Sequence, residues 1–227
     1  MSRLITFGCS LTQGHALEKD IEYSKLAWPY RLAEKMQLDC INAGQNGASA
    51  KKIWFNILNF EFQPDDVVVI LWTHMDRWCI IKETTSLTHT NIDTDWDIYP
   101  DMIQEYRQNT GQTLININPN FSKEDKLMYL WYENFHDEYD MDLQYYLHVA
   151  HANSFLNSRV KNIYNLKASE LDRQAFFNEV DFLKTNINYI RRQHPKALDN
   201  HHPGKDAHED FAQKVYEELK ESVVLKS

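Results

Sequence analysis

The sequence is poor in the residues that build non-globular chains. Six Gly and six Pro in 227 residues exclude a fibrous or low-complexity architecture. The three cysteines, Cys9, Cys40 and Cys79, have neither the even parity of a disulfide framework nor the spacing of metal ligands. Two of them follow or end apolar runs, where a thiol packs as a small hydrophobe. Positive charge is also short: 24 Lys and Arg stand against 33 Asp and Glu, a net charge of -9. Duplex nucleic acid and anionic membranes both demand clustered cations, so neither is expected as the main partner. No apolar run approaches the roughly 20 residues of a membrane span. Ser2 and Arg3 lead straight into Leu4–Phe7, so no secretory segment is expected. These absences set the expectation of a soluble, cytoplasmic protein, and nothing among them calls for a cofactor or a resident metal.

What is present fits one large domain spanning residues 1–227. The chain is 43% apolar and 25% charged, and a chain this long buries roughly 70% of its extended surface without staples. Leu4 to Phe7 is a short apolar run ending in Gly8, the pattern of a buried strand entering a tight turn. Pro29 opens a helix in which Leu32, Ala33 and Met36 repeat at helical spacing. Leu38 to Asn42 reads as a second strand, and Ile53, Ile57, Leu58 and Phe60 as a second helix. Val67–Leu71 is continuously apolar, as a strand covered on both faces must be. The first third is therefore β-α-β-α-β.

The middle differs. From Trp78 to about Asn120 the chain is polar and poor in periodicity, and a long insertion over roughly 78–136 is expected after the third strand. Ser122 and Asp125 could cap a helix carrying Leu127, Leu130 and Trp131. A helix through Leu143, Leu147 and Ala150 ends near Asn157, and Val160 to Leu166 gives a further strand. Phe176, Phe177, Val180 and Leu183 have helical spacing, whereas Asn186 to Ile190 alternates like a strand. Ala207, Phe211, Ala212, Val215 and Leu219 mark an amphipathic C-terminal helix.

Chemistry-bearing residues gather just beyond the expected strand ends. Gly8-Cys9-Ser10-Leu11-Thr12 puts a serine at the carboxyl edge of the first strand, where α/β sheets bind ligands. Alone, such a serine is more often a turn or cap residue. Asn42-Ala43-Gly44-Gln45-Asn46-Gly47 follows the second strand, and Trp72-Thr73-His74-Met75-Asp76-Arg77 ends the third. Near the other terminus stands Asp199-Asn200-His201-His202-Pro203. An Asp three residues before a His lets a carboxylate hold one imidazole nitrogen while the other faces a nucleophile. The competing reading is a polar loop of solvated histidines, or a weak metal patch with His194 and His208. No thiolate or second carboxylate cluster has ligand spacing, so a metal is not expected.

These blocks, in this order, resemble those of the SGNH hydrolase (GDSL-like esterase/lipase) superfamily. Gly8 to Thr12 is similar to its Gly-Asp-Ser-Leu block, with Cys9 in place of the Asp. Asn42-Ala43-Gly44 is similar to the second block, whose glycine lends an N–H to the oxyanion hole. Asp199 to His202 resembles the terminal Asp-x-x-His block. The third block departs: Gly-x-Asn-Asp aligns with Trp72-Thr73-His74-Met75, which puts His74 where the oxyanion asparagine is expected. The resemblance implies a flavodoxin-like three-layer α/β/α sandwich with a parallel sheet of about five strands. It also implies a serine esterase with Ser10 as nucleophile, His202 as base and Asp199 orienting it. Ser10, Gly44 and His74 would form the oxyanion hole. Asn46, Thr73, Arg77 and Trp78 are the expected substrate contacts. Trp78, Trp96, Tyr99 and Tyr106 in the insertion suit stacking on sugars, although the same rings could simply pack the insertion. The resemblance implies small acyl esters, especially O-acetylated carbohydrates, as the first substrates expected. Three other readings remain: acyl transfer to a glycan, glycan binding without catalysis, and an assembly role.

Overall fold

The computed structural model describes residues 2–74, 78–83, 104–107, 112–117, 138–168 and 180–224. β1 (Arg3–Gly8) is buried in all but its first residue, and β3 (Val67–Trp72) is buried throughout. Between them lie α2 (Trp28–Met36), β2 (Asp39–Gly44) and α3 (Ala50–Leu58), after the one-turn helix α1 (Ser10–Gln13). Pro29 sits in the first turn of α2, where its missing N–H costs nothing. Ser49 Oγ caps α3 by accepting the Lys52 N–H at 3.2 Å. β7 (Asn162–Lys167) completes a four-stranded parallel sheet in the order β2-β1-β3-β7.

Topology fixes the layers. The crossover from β1 to β2 and that from β2 to β3 run in opposite directions along the sheet, so right-handed connections place α2 and α3 on opposite faces. α6 (Lys205–Val224) joins α2, with the Trp28 and Phe211 rings edge to face at 5.4 Å. α4 (Glu138–Asn157) joins α3, where Trp54 Nε1–H donates to His151 Nδ1 at 2.7 Å. Helices on both faces leave the strands no wet side, hence the unbroken apolar run of β3. At the amino edge, Arg3 grips Asp66 through two hydrogen bonds of 2.9 and 2.7 Å, which ties the starts of β1 and β3 together.

One expectation needs correction and two gain detail. The parallel sheet, expected at about five strands, has four among the described residues, with an isolated parallel bridge, Asn165 to Phe182, beside β7. Residues read as a strand from their alternation form a short helix instead, α5 (Ile187–Arg191), capped by Asn186 Oδ1 accepting the Asn188 N–H at 2.8 Å. A side-chain acceptor at that position offers the backbone a helical start, which outweighs a weak two-residue alternation. Part of the insertion is regular among the described residues. It contains β4 (Trp78–Glu83), β5 (Gln104–Arg107) and β6 (Gln112–Ile117), an antiparallel sheet in the order β4-β6-β5. The helix expected from Ser122 through Trp131, and Phe176 and Phe177, lie outside the described residues.

Candidate active site

The strand order reverses direction at β1, and the crevice at the carboxyl ends of β1 and β3 is the switch point at which such sheets bind ligands. Ser10 stands there as the first residue of α1, with Cys9 as the helix N-cap. Gly8 makes the turn: a Cβ on it would lie 2.0 Å from Thr12 Oγ1, so any side chain would push α1 off the strand end. Thr12 and Gln13 N–H both reach Cys9 O, at 2.9 and 3.0 Å, which starts the ladder of α1. The Ser10 N–H precedes that ladder and is one of the orphan donors of a helix start.

The second element is the loop between α5 and α6. It is pinned at its base by the antiparallel bridge of Lys196 with Pro203, and Ala197 N–H donates to His202 O at 2.9 Å. Asn200 turns the loop in the left-handed region, φ 59°, a conformation that Asn accepts more readily than most residues. This turn brings Asp199 under the His202 ring. Asp199 Oδ1 accepts the backbone N–H groups of His201 and His202 at 2.9 and 3.0 Å, and Asp199 Oδ2 meets His202 Nδ1 at 2.5 Å. His202 Nε2 lies 3.0 Å from Ser10 Oγ, across 192 positions of sequence. Burial works against the Asp199 charge, but the two backbone N–H groups and the imidazole outweigh it and hold the carboxyl well below its usual range. An ionised Asp199 fixes a proton on Nδ1 and leaves Nε2 to accept from the serine. His201 is exposed and meets Asp199 through its backbone alone in these bonds.

The oxyanion side differs from expectation. Gly44 ends β2 in register with Gly8, but its N–H donates to Asn42 Oδ1 at 3.0 Å. Asn42 in turn donates through Nδ2 to Thr12 O at 2.9 Å, so one side chain ties the end of β2 to α1. The donor expected in the oxyanion hole is thus engaged within the protein, because an asparagine two residues earlier offers a closer acceptor. Asn42 is the residue the sequence reading missed; its place in the second block marked it, but not its role.

His74 is half-buried and follows β3 by two residues, on the edge that carries Ser10. Thr73 is buried, and its hydroxyl has no hydrogen-bond partner among the described residues. Asn46 is half-buried in the turn after β2. Trp78 opens β4 with its backbone paired to Ile117, and Arg77 lies outside the described residues. Among the described residues, neither His194 nor His208 joins Asp199 and His202 in a group of metal-ligating side chains. His194 pairs with Asp210 at 3.1 Å, whereas His208 is buried in α6 and accepts the Trp28 N–H on Nδ1 at 3.1 Å.

No family model matches the sequence, and no curated protein matches it either. Solved structures do. A lipase, Lip_vut3, from a goat rumen metagenome superposes with a TM-score of 0.53 at 12% identity, covering 96% of this chain and 97% of that one. A member of the lipolytic protein G-D-S-L family from Veillonella parvula superposes with a TM-score of 0.50 at 12% identity, again covering 96% and 97%. At such identities the likeness is one of fold, spread over nearly the whole chain: this protein has the fold of the lipolytic G-D-S-L proteins.

Proposed function

We propose that the protein is a serine ester hydrolase that cleaves small acyl esters through Ser10, His202 and Asp199. One observation carries the reading: the unbroken chain of hydrogen bonds from Ser10 Oγ through both nitrogens of His202 to Asp199. Ser10 Oγ attacks the ester carbonyl while His202 Nε2 takes its proton. The resulting imidazolium is stabilised by Asp199, which stays ionised. Collapse of the tetrahedral intermediate passes the proton from Nε2 to the leaving alcohol. Water then repeats the sequence on the acyl-enzyme and frees the acid. The Ser10 N–H and the His74 ring are the proposed oxyanion donors, with Gly44 contributing only if Asn42 releases its amide. Asn46, Thr73, Arg77 and Trp78 are the proposed substrate contacts. O-acetylated carbohydrate remains the first substrate to test, because the resemblance favours small acyl esters and Trp78, Trp96, Tyr99 and Tyr106 could stack on a sugar.

A second reading has an observation in its favour. The engagement of Gly44 with Asn42 suits a protein that binds a glycan in this fold without turning it over. Hydrolysis of 4-nitrophenyl acetate by the full chain and by Ser10→Ala separates the two. The esterase reading expects turnover that disappears in the variant; equal rates, or none in either, favour binding alone. Product analysis with and without a sugar acceptor then distinguishes transfer to water from transfer to a glycan.

A further inference from the structure

Among the described residues, one group of three metal-ligating side chains comes together: His15, Asp199 and His202, with donor atoms all within 4.8 Å of one another. Two of these belong to the relay. His15 does not, yet its ring stands edge to face on His202, centroids 4.9 Å apart at 65°. Its position is built. Gly14 ends α1 in the left-handed conformation, φ 83°, and turns the chain so that the His15 N–H donates back to Ser10 O at 3.2 Å. Ala16 then takes a left-handed φ of 60°, which costs a residue with a Cβ about 1 kcal/mol. The Leu198 N–H donates to Ala16 O at 3.0 Å. The segment carrying His15 is therefore stapled to the loop carrying Asp199 and His202.

We propose that His15, Asp199 and His202 form a binding site for Zn²⁺ that reversibly shuts off the triad. Two imidazoles and a carboxylate are a donor set of catalytic zinc proteins, one that leaves a fourth position for water. All three side chains are half-buried, so a hydrated ion can reach them. Tetrahedral zinc with bonds of about 2.0–2.1 Å holds its donors roughly 3.3 Å apart. The hydrogen bond of 2.5 Å between Asp199 and His202 must open by about that difference, and His15 must close in. Coordination through either nitrogen of His202 stops the chemistry. At Nε2 the metal takes the lone pair that accepts the serine proton. At Nδ1 it takes the nitrogen that carried the ring's single proton; that proton shifts to Nε2, which then donates and can no longer act as base.

The shut-off rests on the hydrolase reading; the binding does not, so the two are measured apart. Zinc chloride is titrated by calorimetry into the full chain and into Ser10→Ala, His15→Gln and His15→Phe, the last keeping a ring on His202, with circular dichroism confirming folding. Esterase assays on 4-nitrophenyl acetate run in parallel. One zinc per chain is expected in the parent and in Ser10→Ala. Affinity should fall at least about tenfold in both His15 variants, which keep metal-free turnover. Zinc should inhibit the parent, and a chelator should restore it. Absence of stoichiometric binding, or His15 variants that bind as tightly as the parent, overturns the site. Turnover that continues in the zinc-bound enzyme overturns the shut-off. Binding that depends on His15 in a protein with no turnover at all would leave the site standing and remove the hydrolase reading instead.

Discussion

The loop carrying Asp199 and His202 and the strand end carrying Gly44 lie at the same edge of the sheet, but they spend their hydrogen bonds differently. In the loop, both Asp199 oxygens converge on His202 and its neighbour, and the remaining ring nitrogen is aimed at Ser10. At the strand end, the Gly44 amide turns inward to Asn42, whose own amide holds Thr12. In the proposed reading, the first half moves a proton, while the second holds α1 against β2 and leaves stabilisation of negative charge to the Ser10 N–H and the His74 ring. The difference teaches that a relay and an oxyanion hole are separable parts of such a site, resting on different residues and open to separate test.

The comparison can be broken most severely at the nucleophile. Ser10→Ala is expected to lower kcat for ester hydrolysis by about 10⁶-fold, since a triad acts as a unit. The melting temperature should hardly move, because a pocket hydroxyl contributes little packing. Asp199→Asn is expected to cost about 10⁴-fold, because an amide donates where the imidazole needs an acceptor and the wrong tautomer results. His74→Ala should cost about 10²-fold in kcat with KM nearly constant, the sign of an interaction made only in the transition state, and His74→Asn should recover part of it. Full activity in His74→Ala would leave the oxyanion side to backbone donors.

The smallest expected effect is on stability. His208 is buried and neutral, and burial, with a lesser contribution from the nearby His202, pushes its pKa down to about 3. Its unfolded reference is about 6.5, so between those values the unfolded chain binds the extra proton. Stability is therefore complete above about pH 6.5 and declines as pH falls towards 3. Asp199, held below its ordinary value, adds its own loss only at lower pH, as it protonates. Chemical denaturation from pH 7 to 4 should show this decline, and His208→Gln should flatten it.

The sheet was legible where burial is two-sided. Val67 to Leu71 and Leu4 to Phe7 carry the signal in their own composition, and both lie in the parallel sheet. β5, by contrast, reads Gln-Glu-Tyr-Arg, four residues with no apolar alternation; it is a strand because β6 pairs with it, a fact held by another part of the chain. The candidate site shows the same division. Ser10 could be read from a short motif at a strand end, and Asp199 and His202 from an Asp-x-x-His motif in a loop. Asn42 and His15 could not, because their roles come from approach in space: Asn42 meets the Gly44 amide and Thr12, and His15 reaches His202 only through the left-handed turns at Gly14 and Ala16.

The central claim, that Ser10 is a nucleophile activated by His202, is tested most directly by intact-mass analysis after treatment with a fluorophosphonate probe. The account predicts a single adduct, located at Ser10 by peptide mapping, that forms in the parent and is lost in Ser10→Ala and in His202→Ala. An unmodified parent protein, or an adduct that persists in Ser10→Ala, would contradict it.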